Sequence, residues 1–169
     1  ESTGGTAAAT AGGQDEPGAV DEPVPDVAFE AYPPQRCGAI AARLACDEGS
    51  TRDLLRAEEL DEERWKRVHA HWLDRIREEA ARGRKRLLSD YDGAYVAVLE
   101  AKRGPMAVGD YARLAEAAER NAIAAALADR GLPQAAWPHI HRVWIQRMVK
   151  DVRFAKQVRS EIDALRAAS

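Results

Sequence analysis

Trp65-Lys66-Arg67-Val68-His69-Ala70-His71-Trp72-Leu73-Asp74-Arg75-Ile76 and Trp137-Pro138-His139-Ile140-His141-Arg142-Val143-Trp144-Ile145-Gln146-Arg147-Met148 share one pattern, W-x2-[VI]-H-x2-W-[LI]-x-R-[IM], offset by 137 − 65 = 72 residues. Seven positions agree in identity or aliphatic character, and the Trp, His, Trp and Arg positions are identical. The chain holds only four Trp and four His. A register that uses every Trp and one His of each pair therefore implies an internal duplication. At about 100° per residue, Val68, His69, Trp72, Leu73 and Ile76 lie within about 80° of Trp65 on a helical wheel, a single apolar stripe. Each Trp can bury roughly 200 Å², and losing one is expected to cost about 3–5 kcal/mol. The predicted structural core is therefore Trp65, His69, Trp72, Trp137, His141 and Trp144.

Helical signals extend outward from both copies, and strand signals are absent. Ala39 to Asp47 reads as a short helix ended at Gly49. Ser50 is expected to cap a second short helix, with Asp53 where a capping box has Glu. Asp61 is the expected N-cap of the first Trp helix, about Glu62 to Arg82, with Gly83 a point where it breaks or bends. Leu87, Leu88, Tyr91, Tyr95, Val98 and Leu99 keep a helical period to Lys102, and Arg103-Gly104-Pro105 stops it. The same order then recurs. Ala112-Arg113-Leu114-Ala115 matches Ala42-Arg43-Leu44-Ala45 at an offset of 112 − 42 = 70. Asp110 is the expected cap of that helix, Asn121 falls where Gly49 falls, and Gly131-Leu132-Pro133 matches Glu59-Leu60-Asp61. A continuation through Val152, Phe154, Val158, Ile162 and Leu165 completes the second copy. The expected fold class is all-α: two tandem helical repeats, 38–103 and 108–169, packed as a pseudo-twofold helical bundle in one domain spanning 31–169.

Composition sets the bounds. With 169 residues, 46 % apolar and 31 % charged, the chain suffices for one domain with a real core. Residues 1–30 are Gly, Ala, Thr, Pro and acidic residues without periodicity, so a disordered acidic tail or linker is expected there. Val27, Phe29 and Tyr32, just before Pro33-Pro34, are placed to pin its last part to the core as an extended strap. Through Arg36 there are seven acidic residues against one basic, a net charge of −6, which leaves +3 on the other 133 residues of a chain whose total is −3. Arg outnumbers Lys twenty to five, which speaks of a GC-rich genome. No apolar run approaches the roughly 18 residues of a membrane span, and no charged-then-apolar leader is present. Membrane insertion is not expected, and a cytoplasmic location is favoured. The chain begins at Glu1 rather than Met, as a fragment, a processed product or the ordered part of a longer protein would. Cys37 and Cys46, nine apart, would lie on opposite sides of one helix, so free thiols are expected, with Cys46 a small core residue.

The chemistry-bearing residues are sparse. His69 and His141 recur between tryptophans, yet neither has a carboxylate or second His at i±3 or i±4, so they read as packed or capping histidines rather than metal ligands. Ser89-Asp90-Tyr91-Asp92-Gly93 fails as a calcium loop, because Gly is not at the sixth position and no Glu stands at the twelfth; a solvated helix turn is expected instead. The five serines lie outside any G-x-S-x-G elbow, and no phosphate loop, dinucleotide fingerprint or H-E-x-x-H is present. No enzyme and no cofactor are expected. The Gly131-Leu132 turn resembles that of a helix-turn-helix, but the would-be reading helix of copy one opens Asp61-Glu62-Glu63, which would face phosphate with negative charge. Arg82, Arg84, Lys85 and Arg86, and the run Arg147, Lys150, Arg153, Lys156 and Arg159, are better basic candidates. The latter recurs every three residues and wraps around its helix, so nucleic acid is a disfavoured partner.

The unit A-R-L-A, a Leu-containing turn, then W-x6-W-[LI]-x-R resembles small duplicated helical modules of GC-rich proteobacterial proteins, including accessory or adaptor components near contractile (type VI) secretion loci. The resemblance covers roughly residues 38–169, and its motifs are packing motifs. It implies a non-enzymatic protein–protein interaction role, without functional residues to carry over. The expected partner is another protein, bound in a groove between the repeats with Arg75 and Arg147 as a repeated polar rim. Arg84, Lys85, Arg86, Lys150 and Arg153 are further contact candidates. For Arg75 and Arg147 a plain helix-surface ion pair is an equally good expectation. A duplicated apolar face can also pair between chains, so a homo-oligomer is a second option.

Overall fold

The computed structural model describes residues 28–46 and 49–168, and among them all regular structure is helical. A 3-10 turn at Phe29–Ala31 leads into α1 (Pro34–Ala45), α2 (Thr51–Ala57), α3 (Glu62–Ala81), α4 (Arg86–Arg103), α5 (Val108–Glu119), α6 (Ile123–Asp129), α7 (Ala136–Lys150) and α8 (Val152–Ala167). The expected acidic tail lies outside the described residues up to position 27. No helix among the described residues is long and apolar enough to cross a membrane.

Local chemistry explains several boundaries. Asp61 caps α3, its carboxylate accepting from the Arg64 N–H at 2.7 Å, and Asp151 caps α8 by accepting from the Arg153 and Phe154 N–H groups. Each satisfies donors that a helix start leaves unpaired. Two short helices end in the same way. Glu59 (φ 61°) follows α2 and Gly131 (φ 58°) follows α6; the Leu60 N–H then donates to Leu55 O and the Leu132 N–H to Leu127 O, both at 2.8 Å. This is the left-handed closure that turns a helix end back on itself, with the two leucines of each turn buried. A Glu there carries about 1 kcal/mol of backbone strain, which the burial of Leu55 and Leu60 offsets.

Several sequence expectations are corrected. The first helix starts at Pro34, not near Gly38, because Pro fits the first helical position, where no N–H is needed. Ser50 stands at the N-cap of α2 without a side-chain bond, and Asp110 lies inside the first turn of α5, whose N-cap is Ala107. Val27 of the expected strap lies outside the described residues, and from Phe29 to Ala31 the strap is a 3-10 turn rather than extended chain. It is nevertheless held: the Phe29 ring stacks on His71 at 4.2 Å, and the Tyr32 hydroxyl donates to Glu58 O at 3.0 Å. Cys37 lies within α1, fully buried, with its thiol donating to Tyr32 O, and both cysteines are free. Asp92, expected on a solvated turn, is wholly buried.

Three helix pairs build the body: α1 against α4, α5 against α8, and α4 against α7. The core runs through all of them, from Ile40 and Val68 to Tyr95, Leu99, Leu114, Ile140 and Trp144. The approach of α1 to α4 depends on Gly38, where a Cβ would lie 2.3 Å from Tyr91 O. Because the obstacle is backbone, a methyl there must push the helices apart. Gly38→Ala is expected to destabilise by about 1–3 kcal/mol. Gly93→Ala, in the same α4 with open space around it, is expected to stabilise by about 0.5–1 kcal/mol. Urea titrations of the two variants check the opposite signs.

Candidate functional site

Where α4 crosses α7, a single carboxylate is taken wholly out of water. Asp92 sits at the centre of an apolar stripe, with Leu88, Val96 and Leu99 at i−4, i+4 and i+7, so forming α4 turns it inward. From α7, Arg142 grips it with two N–H groups, Nε to Oδ2 at 2.6 Å and a terminal nitrogen to Oδ1 at 2.9 Å. His139 Nδ1 is 2.7 Å from Oδ1, and its ring stacks on Tyr95 at 4.1 Å. Burial would push the Asp92 carboxyl up. The hydrogen bonds and charges of Arg142 and His139 outweigh it and hold the carboxyl below its ordinary range. Further along the same crossing, Ser89 Oγ donates to Gln146 Oε1 at 2.9 Å, and Arg147 pairs with Glu100. The bidentate arginine neutralises Asp92, so the cluster orients two helices rather than activating a base.

The repeated histidines sit in matching surroundings built from different places. His69 stacks on Trp65 at 4.8 Å and its Nε2 meets the Tyr91 hydroxyl of α4 at 2.9 Å. His141 packs on Trp137 at 5.0 Å and its Nδ1 meets the Tyr111 hydroxyl of α5 at 3.0 Å. Burial, with the charge of His139 for one and of Arg142 for the other, lowers both imidazoles below the usual histidine value. Burial also raises Tyr91 well above the usual phenol and pushes Tyr111 up to about 12. Each pair is thus a neutral imidazole against a neutral phenol. Of the tryptophans, Trp144 is 1 % exposed, while Trp65, Trp72 and Trp137 are half-buried against the core. The large truncation cost expected for all four applies in full only to Trp144.

The basic candidates are not gathered into one surface. Arg75 pairs with Glu78 on its own helix, and with Arg84 it borders a depression beside Leu87. Lys85 is exposed in the turn before α4, and Arg86 pairs with Asp90. Arg147 lies over the Trp144 ring and, with Lys150, borders a separate depression at Met106 and Phe154; Arg153 is exposed beside it. Arg75 and Arg147 thus border two different depressions. A broad groove runs between α5, α7 and α8, with a volume of about 750 Å³, lined by Tyr111, Trp137, His141, Met148 and Ile162. Ile145 and Val149 stand on its wall, 43 % and 79 % exposed. Among the described residues no three His, Cys, Asp or Glu side chains are grouped as a metal site requires. Sequence reasoning missed Asp92, His139 and Arg142 because they are not repeated; an Asp centred in an apolar stripe was the available signal.

The pH dependence has a definite sign. His69 and His141 are depressed in the folded protein, so their contribution is full above about pH 6.5, the ordinary histidine value, and is lost as pH falls below it. Asp92 is depressed too, so its contribution is present above about pH 3.9 and is lost as pH falls through its folded value. Melting temperature is expected to fall in two stages on acidification. Asp92→Asn should shrink the lower stage and leave the share of Glu58, whose carboxyl burial would push up but Arg43 and Arg36 hold below its ordinary range. Arg142→Leu, which leaves a buried carboxylate with one remaining partner, is expected to cost about 3 kcal/mol. Calorimetry from pH 8 to 3 reads both effects, and a wild-type profile flat down to pH 5 would contradict the neutral histidines.

In comparisons with known proteins, no family model, curated protein or solved structure matches the chain.

Proposed function

We propose that the protein is a non-enzymatic interaction module or adaptor whose groove between α5, α7 and α8 receives an amphipathic helix of another protein. The observation that carries this reading is the exposed apolar wall of that groove. Ile145 and Val149 are exposed one helical turn apart on α7, and with His141 and Met148 they line the groove at helical spacing. A helix-in-groove partner anchors at i, i+3, i+4 and i+7, the spacing such a wall offers. One end of the groove carries the Arg166–Glu119 ion pair at 2.7 Å, which would form a polar rim.

We also infer that the body arose by tandem duplication, 38–103 and 108–169, in a pseudo-twofold arrangement. The matching turns at Leu60 and Leu132, and the two histidines each meeting a tyrosine hydroxyl, support it. The likeness of the W-x6-W unit to modules encoded near contractile secretion loci connects the adaptor reading with a bacterial secretion or injection assembly. The exposed wall would equally serve self-association.

Capture from nuclease-treated lysate, compared between wild type and the Ile145→Lys/Val149→Lys double variant, tests the reading. Both positions are exposed and near a helix C-terminus, where added cations are favourable, so melting should be unchanged while partner recovery drops at least about tenfold, the effect of losing ~1.4 kcal/mol of contact. Equal recovery by the variant would sink the groove. Loss of the partner with nuclease, together with salt-sensitive retention on heparin, would favour a nucleic-acid binder acting through Arg82, Arg84, Lys85 and Arg86.

A further inference from the structure

A second concavity lies on the neighbouring face of α7, where Ile140 and Trp144 point away from the groove's Ile145 and Val149. It encloses about 200 Å³ and is lined by Val96, Leu99, Met106, Leu132, Ile140 and Trp144, with Arg103, Arg130, Glu100 and Asp110 at its edge. Trp144 is 1 % exposed and forms part of the wall, and its indole N–H, like that of Trp72, has no acceptor among the described residues; only at Trp144 does an open cavity adjoin it. A buried donor without a partner is rare and carries a desolvation cost of about 1–3 kcal/mol.

The protein contains its own comparison for this space. At the offset of 72, Arg130, Leu132, Ile140 and Trp144 correspond to Glu58, Leu60, Val68 and Trp72. Over the first set lies the turn before α1. Its Tyr32, 8 % exposed, donates to the carbonyl of Glu58, and its Phe29 ring stacks on His71. Over the second set lies the link between α4 and α5. There Arg103 donates to the carbonyl of Arg130 at 2.6 Å, so the same backbone acceptor is served. The side chain that follows is Met106, and no aromatic ring enters. Where one half inserts rings, the other retains a cavity.

The geometry points to this cavity as a binding site for a single-ring aromatic carboxylate. Size comes first: an apolar cavity of about 150 Å³ suffices for benzene, whereas drug-sized ligands occupy roughly 300 Å³ or more. One substituted ring fits, and a nucleotide does not. Charge comes second. Glu100 is held by Arg147, and Asp110 by Arg113 and Arg130. Arg103 pairs with no carboxylate among the described residues, and the buried Nε of Arg130 has no partner. Both acids at the edge are thus already paired, and the uncommitted donors, guanidinium N–H groups and the Trp144 indole, select an anionic acceptor.

Benzoate is the probe, with toluene and cyclohexanecarboxylate as controls, read by the indole N–H resonances of the full chain and assigned to Trp144 by its loss in Trp144→Phe. Saturable movement of the Trp144 resonance by benzoate is expected, with at least about tenfold weaker binding of toluene and of cyclohexanecarboxylate. Arg103→Gln should weaken benzoate about tenfold, the loss of one charge-assisted bond. Met106→Phe, which supplies the ring that Tyr32 and Phe29 supply elsewhere, should raise the melting temperature and abolish the shift. No saturable shift up to roughly 10 mM, equal binding of toluene, or an undiminished shift in Met106→Phe would each overturn the assignment.

Discussion

The joining of α4 to α7 depends on one buried carboxylate. On the N-terminal side α1, α2 and α3 pack on one another and α1 and α3 on α4, while on the C-terminal side α6 packs on α5, α5 on α8 and α8 on α7. Between these groups stands Asp92, 0 % exposed, with both oxygens occupied by groups from α7. An apolar seam of similar area would hold the helices as firmly, and a buried ion pair is weak evidence for stability in itself. What it adds is registry. A slide of one turn along either helix would leave a full charge in an apolar layer, whereas a slide along a Leu–Val seam would exchange one contact for a similar one. The Tyr95 ring against His139 and the Gln146 amide against Ser89 reinforce the same setting.

The histidine–tyrosine pairs show a looser constraint. A half-buried imidazole needs a partner for its ring nitrogen, and a buried phenol needs one for its hydroxyl. In the first half the phenol comes from α4, and in the second from α5. The requirement is chemical and local, so the chain meets it from whichever neighbouring helix carries the tyrosine. In the proposed duplication, such exchange of donors between elements is how two copies keep the same socket while their sequences drift.

How much of this was legible in the sequence follows from what each signal depends on. Helix existence and order were readable because they rest on periodicity and on caps such as Asp61, whose bond spans three residues. The early start at Pro34 was hidden because a Pro-Pro pair signals a break and a helix entry alike. Burial of individual tryptophans was misjudged: a wheel gives the direction a side chain faces, and only the packing of α5 and α8 decides that Trp144 is sealed while Trp137 is not. The cluster of Asp92, His139 and Arg142 joins residues 47 and 50 positions apart, and a search for repeats discards what is not repeated. Its one local trace was a charge centred among Leu88, Val96 and Leu99.

The junction between α7 and α8 differs in kind from that between α3 and α4. Arg82 to Lys85 separate the latter pair, whereas Asp151 alone separates α7 from α8, closing one helix with its N–H on Arg147 O and opening the next with its carboxylate. A one-residue joint with all three of those bonds made has almost no torsional play. The two helices that wall the broad groove therefore behave as a bent rod rather than as two hinged plates. Anything that pries α8 outward must lever α7, and with it the arginine that neutralises Asp92, so strain applied at the groove is transmitted to the seam between the halves.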